Sequence, residues 1–230
     1  MSEKPTVERA FTHWDAMGMS ASGSWAQNRR LAVAMRRVID GLVRIDAPED
    51  ELRLAAEALE RYAERLARHP KRMRPPGYTE SVTSGDPAAF FDYSPLIGRS
   101  NPLAPPVTMR AAGREVHGTV TFGAAYEGPP GCVHGGIIAA AFDEVLGYAQ
   151  ALTGNPGMTG TLQVRYRSPT PLATELRFEA RVTRTERRKN FAEGRLQAGD
   201  TLCAEAEAVF ITLNRERFLA LAEAQAKRAT

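Results

Sequence analysis

Residues 135–152 read Gly-Gly-Ile-Ile-Ala-Ala-Ala-Phe-Asp-Glu-Val-Leu-Gly-Tyr-Ala-Gln-Ala-Leu, a segment apolar around most of its circumference when wound as a helix. A helix of that kind has to be covered on nearly all sides. The flanking residues supply the cover. Upstream, Val107 to Ala111 and Glu115 to Phe122 are strand-like and separated by the short turn Ala112-Gly113-Arg114. Downstream, Leu162, Val164 and Tyr166 alternate with Gln163, Arg165 and Arg167, and Leu176, Phe178, Ala180 and Val182 alternate with Arg177, Glu179, Arg181 and Thr183. Phe191 to Gln197 and Leu202 to Leu213 follow, with turns at Arg187–Asn190 and Gly199-Asp200. Two strands, one enveloped helix and four further antiparallel strands predict an α+β architecture with a sheet curled around the helix.

The first third of the chain predicts two more helices. Ser24 with Gln27 fits a capping box, and Leu31, Met35, Val38, Leu42 and Ile45 then form one apolar stripe. Asp46-Ala47-Pro48-Glu49 marks the second start, and Leu52, Ala55, Leu59, Tyr62 and Leu66 form its stripe, up to the stop at His69-Pro70. Together they read as a helical hairpin. Residues 70–106 hold eight of the fifteen prolines, which excludes a regular helix or a central strand, yet they also carry Phe90, Phe91, Tyr93, Leu96 and Ile97. The expected organisation is an N-terminal helical extension (1–70), a proline-rich ordered connector (71–106), the sheet-and-helix domain (107–215) and a C-terminal tail forming a short helix (216–230).

Composition narrows the class of protein. The longest apolar run, Ile137 to Phe142, is far short of the ~20 residues that span a bilayer. The first thirty residues have no apolar core of a secretory signal, and Cys132 and Cys203 cannot make a disulfide framework, so a cytoplasmic protein with reduced thiols is expected. Thirty bases are diluted by 27 acids to a net charge of +3, which argues against a nucleic-acid partner. The four histidines (His13, His69, His117, His134) make no metal-ligand spacing with either cysteine, and neither standard phosphate-binding glycine loop is present; no metal and no cofactor are expected. Only Lys4, Lys71, Lys189 and Lys227 among the thirty bases are lysine, so a lysine at a turn stands out. Arg165, Arg167, Arg177 and Arg181 read either as a solvated sheet face or as a lining for a nucleotide diphosphate.

Chemistry concentrates at Cys132-Val133-His134-Gly135-Gly136 and Asp143. Gly135 and Gly136 open the buried helix, where backbone amides lack intrahelical partners and favour negative charge, as on the oxyanion of an acyl-transfer transition state. The plainer alternative is a turn with a satisfied histidine. A carboxylate on an apolar helix costs several kcal/mol unless paired or protonated. Asp143 is therefore either a structural hydrogen-bond acceptor, or a general base on water or nucleophile beside a polarised carbonyl. Glu144 is the candidate for the solvent-facing acid of the pair.

Residues 126–213 resemble the hotdog-fold acyl-CoA thioesterases of the phenylacetate-pathway (PaaI-like) type. The resemblance rests on Gly-Pro-Pro-Gly-Cys-Val-His-Gly-Gly at 128–136, the aspartate nine residues after the histidine, Met158-Thr159, and Tyr166-Arg167-Ser168-Pro169-Thr170-Pro171-Leu172. It implies a hotdog fold and hydrolysis of an acyl-CoA to free acid and CoA. His134, Gly135 and Gly136 would polarise the thioester carbonyl, Asp143 would drive hydrolysis, and Thr159 would help hold the water or the carboxylate. It also implies a basic residue at the hairpin turn for the phosphates of CoA, which places Lys189 there with Arg188 and Asn190 beside it. A homodimer or homotetramer is expected. Gly135 and Gly136 lie seven to eight residues from Asp143, about 11–12 Å along one helix, so a carbonyl held at the helix start would meet the Asp143 of an antiparallel partner. The same fold could instead hold acyl-CoA without cleaving it, or act as a hydratase; Asp143 with Thr159 disfavours the first. Residues 1–106 receive no function from the resemblance.

Overall fold

The computed structural model describes residues 23–70, 92–105, 107–155 and 157–212. Two helices, α1 (Gly23–Leu42) and α2 (Glu49–Ala67), precede strands β1 (Thr108–Ala112) and β2 (Glu115–Thr121), a 3-10 turn (Ala124–Tyr126) and helix α3 (Gly135–Ala151). Strands β3 (Gly157–Tyr166), β4 (Glu175–Glu186), β5 (Lys189–Ala198) and β6 (Thr201–Thr212) complete one six-stranded antiparallel sheet in the order β1-β2-β4-β5-β6-β3. The sheet wraps α3: this is the hotdog fold. Phe90 and Phe91 of the connector and the tail at 216–230 lie outside the described residues.

Helix α3 buries Ile138, Phe142, Val145 and Leu146 against the inner face of the sheet, with Phe142 and Phe178 edge to face at 5.1 Å. Each such side chain contributes about 1.5–3 kcal/mol. The inward positions of β6 are mostly small (Ala204, Ala206, Ala208) and buried, which lets the helix approach closely; Phe210 closes that row. The outward positions carry the arginines. Arg165 pairs with Glu207 at 2.6 Å, Arg167 with Glu205 at 2.9 Å and Arg181 with Glu193 at 2.7 Å, while Arg177 donates to the Gly199 carbonyl. Of the two readings for these arginines, the solvated, ion-paired sheet face is the one found.

Strands β3, β4 and β5 run longer than their alternation predicts. β3 begins at Gly157 rather than Leu162, because Gly-Met-Thr-Gly-Thr lacks the apolar alternation that marks a strand, and a register shift falls between Thr159 and Thr161. Helix α1 starts at Gly23, so Ser24 lies inside it and is not the cap. Helix α2 starts at Glu49 with Pro48 in the cap position and no side-chain cap, so Asp46 does not serve.

Helix α1 is anchored by polar contacts. Arg29 pairs with the buried Asp92 at 2.7 Å, and Trp25 Nε1 and Ser100 Oγ donate to the same carboxylate. Arg36 donates to the Asn101 carbonyl at 2.7 Å, and Asp40 Oδ1 accepts from the Ala124 amide at 2.8 Å. Helix α2 buries none of its residues, and Leu42, Leu59, Tyr62 and Leu66 of the two stripes stand exposed. The extension is helical, but the two helices do not close their stripes on each other as a packed hairpin. Among the described residues no helix is long and apolar enough to cross a membrane.

Candidate functional site

The start of α3 is held by a stitched loop. Val133 N donates to the Thr170 carbonyl at 2.9 Å and Leu172 N to the Gly131 carbonyl at 3.1 Å, which binds the Gly-Cys-Val segment to the Ser-Pro-Thr-Pro-Leu loop. Gly128 N donates to the Cys132 carbonyl and His134 N to the Tyr126 carbonyl, both at 2.9 Å. A Cβ on Gly128 would lie 2.8 Å from His134 Cα, so only glycine permits this closure.

His134 is the N-cap of α3, with φ −61° and ψ 131°. Its Nδ1 accepts from Gly136 N at 3.0 Å, which places the neutral ring's proton on Nε2. Of the two glycine amides expected to polarise a carbonyl, that of Gly136 is engaged by His134 in this structure. Gly135 N has no acceptor among the described residues. The Tyr166 hydroxyl donates to the Gly135 carbonyl at 2.7 Å and holds that peptide in place.

Asp143 is half-buried two turns further along α3, and Thr159 Oγ1 of β3 donates to its Oδ1 at 2.7 Å. Its Oδ2 receives no hydrogen bond from the described residues. Glu144 is not the solvent-facing acid. It turns toward the 92–105 segment, where Ser94 Oγ donates to Oε1 at 2.9 Å. Burial pushes its carboxyl above the usual range, the Ser94 hydrogen bond opposes that, and the neighbouring Asp143 adds to it. Ser94 carried no sequence signal, since its partner lies fifty residues away.

The residues expected at the β4–β5 turn separate in role. Lys189 is exposed and makes no ion pair among the described residues. Arg188 donates through Nε and Nη2 to the Thr212 carbonyl at 3.1 and 2.9 Å, so its guanidinium fastens the turn to β6. Asn190 is fully buried and its Nδ2 donates inward to the Asn155 carbonyl at 2.9 Å. No three His, Cys, Asp or Glu side chains converge as metal ligands among the described residues. A carboxylate with one oxygen held and one free, a helix start with a free amide, and exposed cations at a sheet end are groups that suit chemistry on a carbonyl attached to an anionic carrier.

Residues 130–205 match the sequence profile of the thioesterase superfamily. A crystallised thioesterase superfamily protein superimposes with a TM-score of 0.72 at 34% identity, over 80% of this chain and 94% of that one. The acyl-coenzyme A thioesterase THEM4 of Xenopus laevis is 37% identical over 89 residues, 38% of this chain and 40% of that protein. Its Mus musculus counterpart is 37% identical over 93 residues, 40% of each chain. The chain thus spans about two fifths of the length of these curated relatives.

Proposed function

This chain belongs to the thioesterase superfamily, and from that premise we propose that it hydrolyses the thioester of an acyl-CoA to the free acid and CoA. The observation that carries the reading is the Thr159–Asp143 hydrogen bond, which fixes one oxygen of a helix carboxylate and leaves the other free. The acyl-CoA thioesterases that share 37% identity with part of this chain support the choice of carrier.

In this reading the Gly135 amide, at the positive end of α3, donates to the carbonyl oxygen as it becomes an oxyanion, and His134 fixes the geometry by accepting from Gly136 N. Asp143 takes a proton from water whose oxygen bonds to the carbonyl carbon. The C–S bond then breaks and that proton passes to the thiolate of CoA. In the covalent form the Asp143 carboxylate itself bonds to the carbonyl carbon, the C–S bond breaks to release the CoA thiolate, and water opens the resulting anhydride to the free acid and Asp143, whose proton passes to the thiolate. Lys189 meets a phosphate of CoA as an exposed point charge.

Each site takes its amide from one chain and its carboxylate from another. Asp143 stands about 11–12 Å along α3 from the helix start, beyond reach of a carbonyl held there. β3 is an edge of the sheet, ten residues long, with Met158 and Tyr166 exposed, which suits pairing with the same strand of a second copy. Two antiparallel copies would yield two equivalent sites. A series of straight-chain and aromatic acyl-CoA thioesters, followed by free-thiol release, tests the activity. Thiol release above the uncatalysed rate is expected for at least one acyl class, and none from the folded chain with any of them would reject the proposal.

A further inference from the structure

We infer that Asn190 is a positioning residue: with Gln150 it locks the basic turn that carries Lys189 to the strand that carries Thr159, holding phosphate binding and chemistry in one register. The inference rests on the hydrolase reading above and deepens it.

Gln150, at the end of α3, is buried and grips Gly157 at the start of β3 from both sides. Gly157 N donates to its Oε1 at 2.9 Å and its Nε2 donates to the Gly157 carbonyl at 3.3 Å. Asn190 Nδ2 then donates to the same Gln150 Oε1 at 3.3 Å and to the Asn155 carbonyl at 2.9 Å. On the other side of the turn, Thr185 Oγ1 donates to Asn190 Oδ1 at 2.9 Å. One buried amide pair thus joins the end of the catalytic helix, the loop before β3 and both strands of the hairpin. A buried amide left unpaired is costly, so each bond of the network resists displacement of the turn.

The strand register gives this knot a direct line to the site. Asn190 and Thr159 both pair with Phe210 of β6, and Lys189 and Met158 both pair with Ile211. Two strand spacings put the Asn190 and Thr159 backbones about 10 Å apart. The start of β3 lies so close to β6 that only glycine fits, since a Cβ on Gly157 would lie 2.6 Å from the Ile211 carbonyl carbon. Arg188 donates to the Thr212 carbonyl through Nε and Nη2, and Lys189, exposed beside Arg187 and Arg188, is a cation whose reach depends on where the knot sets the turn. Loosening Asn190 moves the phosphate contact while Thr159 keeps its bond to Asp143.

The test compares the full-length wild type, Lys189→Ala, Asn190→Ala and Thr185→Val on two substrates. One is the acyl-CoA of fastest turnover in the series above, and the other is the acyl-pantetheine of the same acyl group, which lacks the nucleotide. Asn190→Ala is expected to raise KM for the acyl-CoA about tenfold, with kcat changed less than about twofold and the acyl-pantetheine KM unmoved. Thr185→Val, which removes one bond of the knot from an exposed position, is expected to do the same about threefold, and it carries the test if Asn190→Ala does not fold. Unchanged acyl-CoA KM in the folded variants, or an equal rise on both thioesters, overturns the inference. If Lys189→Ala abolishes the preference for the CoA thioester but the knot variants do not, the inference alone fails. If Lys189→Ala leaves that preference intact, the phosphate reading fails and takes the inference with it.

Discussion

Thr159 Oγ1 donates to Asp143 Oδ1 at 2.7 Å, a bond between the edge strand β3 and the buried helix α3 that fixes the carboxylate against the sheet. The hydroxyl holds the carboxylate through Oδ1 and leaves Oδ2 without a hydrogen bond from the described residues. Asp143→Asn is therefore expected to fold, to bind ligand nearly as before and to lose turnover by about 1,000-fold or more. Thr159→Val removes one hydrogen bond to a charged group, worth roughly 1.5–3 kcal/mol, and should lower kcat about 10–100-fold. Steady-state kinetics with isothermal titration of a non-hydrolysable CoA thioether checks both, and near-normal turnover in a folded Asp143→Asn chain would refute the role given to Asp143.

The phosphate contact is predicted to act on binding. A lysine at the rim meets the phosphate equally in ground and transition states, so Lys189→Ala should raise KM for acyl-CoA several-fold with little change in kcat. Salt should weaken wild-type binding more than that of the variant. An unchanged KM at low ionic strength would place the phosphates elsewhere on the chain.

Glu144 predicts a pH dependence of stability. Its carboxyl is raised by burial, so between its unfolded and folded values the native chain holds the proton that the unfolded chain has released, and stability falls as pH rises through that window. Glu144→Gln keeps an acceptor for Ser94 and removes the charge. Its Tm is expected to exceed that of the wild type at pH 8 and to approach it below about pH 4, where both forms of the wild type are protonated. A wild type that loses no more stability than the variant over that range would contradict the assignment.

Helix α1 is predicted to support the site from outside the hotdog domain. Asp40 accepts the Ala124 amide, and that 3-10 turn supplies the Tyr126 carbonyl that receives His134 N. Asp40→Ala should cost about 0.5–1.5 kcal/mol by chemical denaturation and also reduce kcat, because the cap residue of α3 loses its backing. A fall in stability with no change in kcat would confine α1 to a structural role.

The enveloped helix and the six strands were legible because all-round apolarity and alternation are local patterns; His134-Gly135-Gly136 stood out at a helix start and Asp143 as an acid on an apolar helix, while Thr159 came only from the family resemblance. The partners of those residues left none. Ser94 meets Glu144 and Asn190 meets Gln150 only because the sheet curls, and their separations in sequence are 50 and 40 residues. Asn190 looked like a ligand contact because it adjoins Lys189, yet strand alternation turns neighbouring side chains to opposite faces, which sends Asn190 inward and Lys189 out. Gly136 looked like an oxyanion donor by position, and its amide is spent on the Nδ1 of a cap residue whose ring orientation no sequence pattern encodes. The stripes of α1 and α2 obeyed helical periodicity without packing on each other, since periodicity defines a face and not what lies against it.

The central claim is that each site joins the helix start of one chain to Asp143 of another. Mixing two inactive variants tests it most directly. Asp143→Asn removes the carboxylate, and Gly135→Pro removes the free amide at a first-turn position that tolerates proline, behind a residue already in the extended conformation that proline requires. A heterodimer of the two retains one intact pairing and one doubly broken pairing. Unfolding and refolding an equal mixture is predicted to restore about one quarter of wild-type turnover per chain, since half the dimers are mixed and each carries one of two sites. A mixture that stays inactive while heterodimers form, or a wild-type chain fully active as a monomer at high dilution, would contradict the shared site.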